Sequence, residues 1–346
     1  MNPLPKLHRP ELPLLAPAHS VLDAGAVARY VLAQYPLGTL SDVQFWAHGV
    51  NDSYRLRTDV GDFLVRVYRH GWRTWRHVYG ELQLLHFLQQ QGAAVAAPQL
   101  QLQLQNPVSY AVQAPEGERY VAVFDYIDGV LPTYQDELAA GQAACYGEAL
   151  ARLHQASVGY LGPWPRELDL AHLLHQPVQR IALLLTQRPA DLALLQEIER
   201  ELAERLTALA PRLDYGFCHG DTHGQNAHLQ GQQLVFFDFD CCGAGWRVYD
   251  LAVFCWMARV YRQVAARCPP FIDAYLKVRS LSHADIGAIP LLVVVRQLWW
   301  LALQIDMGSA HGLGWLDSAA WDRQSALWRE LMAETQPGQW AAYLGQ

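Results

Sequence analysis

Lysine is almost missing from this chain: Lys6 and Lys277 are the only two among 26 lysines and arginines. A cation held in a buried or phosphate-facing position must therefore come from arginine or histidine. An excess of positive charge is missing too. The net charge is −7, so the surface offers little to a phosphate backbone and no nucleic-acid partner is expected. Cysteine is scarce and irregular, six residues of which Cys241 and Cys242 are adjacent. That excludes a disulfide framework. Without a C-x₂₋₄-C pair it also argues against a zinc site built from Cys218, His219, Cys241 and Cys242. The charged-then-apolar layout of a signal peptide is absent, and Met1 to Ala18, rich in proline and leucine, reads as a loose tail. Free thiols and a cytoplasmic setting are the expectation. A long uncharged apolar run is lacking as well. Ile286 to Ile305 comes nearest, yet Arg296 and Gln297 sit at its middle and Pro290 near its start. A charge at that depth in lipid is expensive, so a buried helix and no membrane partner are expected.

What is present suits a well-buried globular protein. At 346 residues, 51% apolar and 17% charged, the chain exceeds what one hydrophobic core usually supports, which predicts two lobes. Apolar positions Val21, Leu22, Val27, Val31 and Leu32 predict a helix over 21–34 with Ser20 as its N-cap. Three short strands at 43–46, 53–58 and 63–68, separated by turn residues, predict an antiparallel meander. A helix over 73–91 presents Val78, Leu82, Leu85 and Leu88 on one face and ends at Gly92. Two further strands are expected near 98–104 and 120–126. From Asp136 onward the pattern is helical, beginning with 140–154, apart from a strand-rich patch at 217–239. The expected fold class is α+β. A flexible tail (1–18) precedes a small antiparallel-sheet N-lobe (19–126) and a larger, mainly helical C-lobe (127–346), with the seam near 125–129.

The informative stretch is Phe217-Cys218-His219-Gly220-Asp221-Thr222-His223-Gly224-Gln225-Asn226, followed by Leu234-Val235-Phe236-Phe237-Asp238-Phe239-Asp240. Phosphoryl transfer to a hydroxyl needs a group that orients the hydroxyl and takes its proton, and Mg²⁺ to neutralise the phosphates. Magnesium takes oxygen ligands and keeps several waters, so one carboxylate and one amide oxygen form a sensible protein donor set. Asp221 and Asn226 share a short loop, and Asp238 ends an apolar strand. A bend permitted by Gly220 and Gly224 lets Asp221 face an acceptor while Asn226 and Asp238 face the metal. Taken alone, Asp221 would be a turn residue or cap. Its company changes that reading. Asp240 is expected to be structural rather than a ligand.

The series His-Gly-Asp-x-His-x-x-Asn, then Phe-Asp-Phe-Asp, then Gly245 and Tyr249-Asp250-Leu251-Ala252 resembles the phosphotransferase family of aminoglycoside, homoserine and choline kinases. A bacterial stress-response Ser/Thr kinase belongs to the same protein-kinase-like superfamily group. The resemblance implies a protein-kinase-like two-lobed fold, ATP and Mg²⁺, and a hydroxyl-bearing small-molecule substrate. By position it makes Asp221 the catalytic base, Asn226 and Asp238 the Mg²⁺ ligands, His219 a structural residue and Asp250 a buried anchor of the loop. His223 stands where protein kinases carry a lysine that approaches the transferred phosphate. It either plays that part protonated or hydrogen-bonds as a neutral ring.

On the nucleotide side, Arg66 interrupts the apolar strand 63–68 and shares a face with Leu64 and Tyr68. The resemblance puts it in the place of the kinase lysine. Scarcity of lysine makes the exchange unavoidable, and a guanidinium tolerates it because it binds phosphate oxygens in pairs. Glu81, beside Leu82 on the following helix, is the expected partner of this buried cation, with Arg69 on the other face as the rival cation. Where protein kinases have a glycine-rich hairpin, only Gly49 appears in 47–53, which implies a reduced loop with backbone amides and Ser53 near the phosphates. Phe124-Asp125-Tyr126-Ile127 resembles the adenine-binding hinge, making Phe124 and Tyr126 candidates there.

The acceptor side is least legible. Trp256 and Arg259 are candidates, as are Arg296, Trp299, Trp300 and Asp306 on the apolar helix, where 296, 299, 300 and 303 share a face. An arginine flanked by tryptophans can grip a carboxylate or stack on a ring. It can equally be a satisfied core residue. A glycine-bearing segment, 311–315, starts at His311 and is a candidate flap. The expected acceptor is a homoserine-like molecule, an amino alcohol or an aminoglycoside. A protein Ser/Thr acceptor is the alternative and needs an open groove instead of an enclosed pocket. The full set of transfer residues argues against a third reading, a non-catalytic nucleotide-binding protein.

Overall fold

The computed structural model describes residues 15, 17–101, 109–131, 139–231, 233–308 and 312–336. Its first helix, α1 (Ala24–Leu32), is capped by Asp23, whose carboxylate accepts from the Ala26 amide at 2.8 Å. Ser20 is not the cap expected of it, because the helix starts at Ala24 rather than 21; its hydroxyl donates to Glu116 at 2.6 Å instead. The meander is present with longer strands: β1 (Leu40–His48), β2 (Asp52–Thr58) and β3 (Asp62–Val67). In β2 burial alternates, with Asp52, Tyr54 and Leu56 inward, as the period of two requires. After α2 (Trp75–Gln90) a hairpin of β4 (Tyr110–Ala114) and β5 (Gly117–Asp125) completes an antiparallel sheet of order β1-β2-β3-β5-β4.

The strand expected near 98–104 needs correction. Pro98 makes a single bridge to Phe124, and 102–104 lie outside the described residues. Proline has no amide to continue a ladder.

The two faces of the sheet bury different partners. Val65, Val67, Val121 and Val123 pack with Val27, Ala28 and Val31 of α1. On the other face, Tyr68, Ala122 and Phe124 join Val78, Leu82 and Leu85 of α2, in a core that continues into the helices. Alternation puts Arg66 on this second face, where a charge needs partners.

The remaining elements run α3 (Ala139–Ala156), β6 (Glu167–Leu168), α4 (Gln176–Ala182), α5 (Pro189–Leu209), β7 (Tyr215–Cys218), β8 (Ala227–Gln230), β9 (Gln233–Phe236), β10 (Gly243–Trp246), α6 (Val248–Val260), α7 (Val264–Leu276), α8 (His283–Asp306) and α9 (Ser318–Glu334). Strands β7 and β10 pair antiparallel with Cys218 opposite Gly243, and β8 and β9 form a hairpin. The chain leaving β7 and the chain entering β10 are therefore neighbours. This register brings the two informative motifs together. Helix α8 contains the apolar run. It is long and apolar enough to cross a membrane, yet 78% of its most apolar stretch is buried inside the protein, as expected of a core helix.

Candidate active site

The loop 219–226 begins at a glycine that has no substitute. Gly220 has φ +81, and a Cβ there would lie 2.4 Å from the Cys241 carbonyl oxygen. Both the left-handed backbone and the close approach demand its bare Cα. Beneath the loop lies Asp250, fully buried in the first turn of α6. Its carboxylate accepts the His219 amide at 2.7 Å and the Gly220 amide at 2.8 Å, while its carbonyl accepts the Thr222 hydroxyl at 2.6 Å. His154 Nε2 reaches the same carboxylate at 3.0 Å, and the Tyr275 hydroxyl meets His154 Nδ1 at 2.9 Å. Burial pushes the His154 pKa down against the pull of Asp250. The bonding pattern fits a neutral ring that donates to Asp250 and accepts from Tyr275.

Asp250→Ala would strand two loop amides and His154 in a dry interior. A loss of about 3–5 kcal/mol of unfolding free energy is expected in urea titrations. A loss below about 1 kcal/mol would contradict the anchoring role.

Asp221 follows the hinge. Its amide donates to His219 Nδ1 at 3.3 Å, and His219 Nε2 donates to the Phe237 carbonyl at 3.0 Å. The Phe237 amide in turn donates to the Asn226 carbonyl at 3.0 Å. Loop and following strand are thus tied on both sides of Phe237, the residue before Asp238. The Asp221 carboxylate receives two donors and faces a third nitrogen. Asn226 Nδ2 lies 2.9 Å and His223 Nε2 3.3 Å from Oδ2, and Arg296 Nη2 bonds Oδ1. Burial pushes the Asp221 carboxyl up, but His223 and Arg296 outweigh it and hold the group well below the usual carboxylate range. Asn226 Nδ2 also reaches the Asp221 carbonyl at 3.0 Å, so its amide oxygen is the atom not engaged in this pair.

Asp238 adopts a left-handed backbone, φ 63 and ψ 59. Among the described residues Arg262 is the only other non-glycine with positive φ. Such conformations persist where the surroundings over-determine them. The Asp238 side chain is 44% exposed and meets Arg66 Nη2 at 2.9 Å. Burial in the cleft pushes its carboxyl up, Arg66 pulls it down, and the like charges of Asp240 and Asp221 push it up further. The other arm of Arg66 holds Glu81 at 2.9 Å, and the Tyr68 hydroxyl donates to the same carboxylate at 2.9 Å. The pair expected from strand and helix spacing is therefore formed.

Burial works against the Arg66 charge, but Asp238, Tyr68 and Glu81 keep it firmly protonated. For Glu81, burial outweighs Arg66 and pushes the carboxyl up to about 7. Both partners shift upward because one guanidinium serves two carboxylates and leaves the more buried one under-compensated. An unfolded glutamate loses its proton near 4.5. The native state therefore holds the extra proton between about 4.5 and about 7, and this group's contribution to stability falls as pH rises through that window. Glu81→Gln is expected to remove a pH-dependent difference of about 2–3 kcal/mol, read as wild type minus variant in unfolding titrations at the two ends of the window. An unchanged difference would contradict the shift.

Asp240 Oδ2 accepts Asn51 Nδ2 at 2.9 Å and Trp72 Nε1 at 3.1 Å, tying the β1–β2 loop and the chain after β3 to the segment that follows Asp238.

A cavity of about 270 Å³ is lined by Trp46, Gly49, Ser53, Arg66, Tyr126 and Asp238, among others. Phe124 does not line it. At 3% exposure it lies in the core with its ring centroid 5.0 Å from the Arg66 guanidinium. It shares the sheet face of Leu64 and Arg66, which do line the cavity, but it is packed into the core with α2. Trp46, not anticipated, meets Tyr126 edge-on at 5.5 Å, and Arg55 stacks on Tyr126 at 3.9 Å. The Tyr126 amide bonds Asp62 across the ladder, whereas the Asp125 amide bonds the Ala97 carbonyl on the opposite edge. A residue's N–H and C=O share an edge, so the Asp125 carbonyl points away from β3.

The acceptor candidates fare differently. Arg296 is 2% exposed and Trp256 4% exposed. Trp256 Nε1 donates to Gln297 at 2.8 Å, and its ring lies 5.9 Å from that of the half-buried Trp300. Arg259 is engaged by Glu330 and Glu334, and Asp306 by Arg180. Arg296 and Trp256 are thus buried, and the guanidinium meets a carboxylate, that of Asp221, as a buried charge requires. In the candidate flap, His311 lies outside the described residues. Sequence reasoning missed His154, Tyr275, Asn51 and Trp72, whose partners lie far away in the chain.

Comparison with known proteins converges on these features. A family model described as "Phosphotransferase enzyme family" matches residues 42–285. The chain is 38% identical over 300 residues to an uncharacterized protein of Deinococcus radiodurans, covering 85% of each. It is 29% identical over 272 residues to a homoserine kinase of Beijerinckia indica, covering 75% of this chain and 79% of the relative. A solved structure of an amicoumacin kinase in complex with AMP-PNP, Ca²⁺ and Ami has a TM-score of 0.71 at 20% identity, covering 91% of this chain and 95% of that chain. The α+β arrangement, an antiparallel sheet followed by a helical part, is shared with it.

Proposed function

The chain belongs to the phosphotransferase enzyme family, and from that membership we propose that it transfers the γ-phosphoryl group of ATP, with Mg²⁺, to the hydroxyl of a small molecule. One observation carries the reading. Asp221, Asn226 and Asp238 stand on two segments locked together through Phe237, and Asp238 shares the wall of a cavity with Arg66.

In this reading residues 19–126 hold the nucleotide, and residues 127–346 carry the transfer and acceptor groups. The phosphates lie toward Arg66, Ser53 and the Gly49 backbone. The Asp125 carbonyl and the Ile127 amide are the strap atoms suited to the adenine edge. Asn226 and Asp238 fit a magnesium ion. They offer an amide oxygen and a carboxylate, and Asp238 carries like-charge strain that a cation relieves. An ion held by these two residues would supply positive charge against the phosphates.

Asp221 accepts a hydrogen bond from the acceptor hydroxyl. As the new oxygen–phosphorus bond forms, the bond from the γ-phosphorus to the bridging oxygen breaks. ADP leaves with that electron pair, and the hydroxyl proton passes to Asp221. Because Asp221 is held in its ionised form, it is a weak base that chiefly orients the nucleophile. The proton moves late, in keeping with a loose transition state. His223, with Nε2 turned to Asp221, steadies the carboxylate.

The homoserine kinase relative supports a small hydroxyl-bearing amine as acceptor. The test is ADP release measured across homoserine, amino alcohols, sugars, aminoglycosides and a generic protein, with and without Mg²⁺. Magnesium-dependent release with one small-molecule class supports the reading. Release with protein alone would transfer the role to a protein kinase. No acceptor-dependent release would contradict it.

A further inference from the structure

We propose that Arg296 is a positioning residue that aims Asp221 at the acceptor hydroxyl, rather than a group that binds the acceptor; this rests on the phosphotransferase reading above. Arg296 stands in the middle of α8, 2% exposed. A guanidinium in such a place is retained only if its charge is met. Its Nη2 bonds Asp221 Oδ1, and its Nη1 donates to the Gly220 carbonyl at 3.3 Å. Two indole rings hold it, Trp256 at 5.1 Å and Trp299 at 4.6 Å from the guanidinium carbon. Planar cation and aromatic faces attract one another and leave little freedom to turn. Arg296 thus grips the loop at two consecutive residues, one by backbone and one by side chain, from a helix buried in the core.

Counting lone pairs shows what the grip achieves. A carboxylate offers about four acceptor positions. On Asp221, Asn226 takes a position on Oδ2, the oxygen that His223 Nε2 also faces at 3.3 Å, and Arg296 takes one on Oδ1. Among the described residues Oδ1 is the less crowded oxygen, so the acceptor hydroxyl donates to the oxygen that Arg296 holds. Without Arg296 the carboxylate keeps its Oδ2 tether but can swing about its last torsion, which is broad for aspartate. The open lone pair then no longer points at one place. A displacement of this kind, near 1 Å, costs roughly 10²-fold in rate.

The test uses Arg296→Met, which preserves the packing between the indoles, and Arg296→Lys, which restores charge without the planar fork. The expected result for Arg296→Met is a kcat lower by about 10²-fold with KM for ATP and for the acceptor within about threefold of wild type, and partial recovery in Arg296→Lys. A large rise in acceptor KM with kcat preserved would make Arg296 an acceptor-binding group and overturn the proposal. A crystal structure of either variant gives a readout free of activity. The Asp221 carboxylate should be rotated or displaced while the backbone of 219–226 stays in place, and an unmoved carboxylate overturns the proposal. If the wild type phosphorylates no alcohol, the functional reading falls, and the crystallographic comparison still decides whether Arg296 sets the carboxylate. Should Arg296→Met fail to fold, Arg296→Lys carries both readouts.

Discussion

Asp221→Asn is expected to lower kcat by about 10³-fold while ATP affinity stays within about twofold of wild type. The substitution keeps the shape of the side chain and an oxygen that can accept from Arg296, so circular dichroism and melting should show a folded protein. What it removes is the charge that receives the hydroxyl proton. It also sets a new NH₂ group against Asn226 Nδ2 and His223 Nε2, the donors now facing Oδ2. The cavity lined by Arg66 and Asp238 does not include Asp221 in its lining. Binding of ATP and chemistry should therefore separate cleanly. A variant retaining a tenth or more of wild-type kcat would remove Asp221 from the reacting centre.

The second large effect is expected at Asp238. Asp238→Asn should lower kcat/KM by about 10²–10³-fold at fixed Mg²⁺, with part of the loss recovered at high Mg²⁺ or Mn²⁺ concentration. A weakened ligand is offset by mass action, whereas a damaged fold is not. Nucleotide binding in the absence of metal should move the other way. Asp238 is a carboxylate crowded by Asp240 and Asp221 and offset chiefly by Arg66, which it shares with Glu81. Removing its charge lifts a repulsion on the phosphates and releases one arm of Arg66. Metal-free ATP should therefore bind as well as to wild type, or more tightly. An unaltered Mg²⁺ dependence, or weaker metal-free binding, would contradict the ligand role.

What was legible in the chain divides along a physical line. Features set by neighbours in sequence were readable. Period-two alternation put Arg66 on the face that meets α2, and helical spacing put Glu81 at the edge of the apolar stripe. The five-residue interval from Asp221 to Asn226, with a glycine on each side of the turn, marked a bent loop. Features set by distant partners were not readable. Arg296 is 75 residues from Asp221, and the contact between them is one that no local pattern encodes. His154 looks like one more residue on a helix until Asp250, 96 positions on, lies against it. Asn51 reaches Asp240 across 189 residues. The strand at Tyr110–Ala114 was hidden because its alternation is short and half-exposed. The Phe124 side chain shares the sheet face of Leu64 and Arg66, which line the cavity, yet it is packed into the core with α2, a difference that strand alternation alone does not reveal.

Everything chemical above depends on Asn226 and Asp238 sharing one nucleotide-bound cation beside Asp221. Anomalous diffraction from crystals grown with AMP-PNP and Mn²⁺ examines that arrangement directly. The expected result is a manganese peak about 2.2 Å from both an Asp238 carboxylate oxygen and Asn226 Oδ1, with phosphate oxygens completing its shell. A peak bound by other residues, or nucleotide phosphates lying away from Arg66 and Asp238, would contradict it.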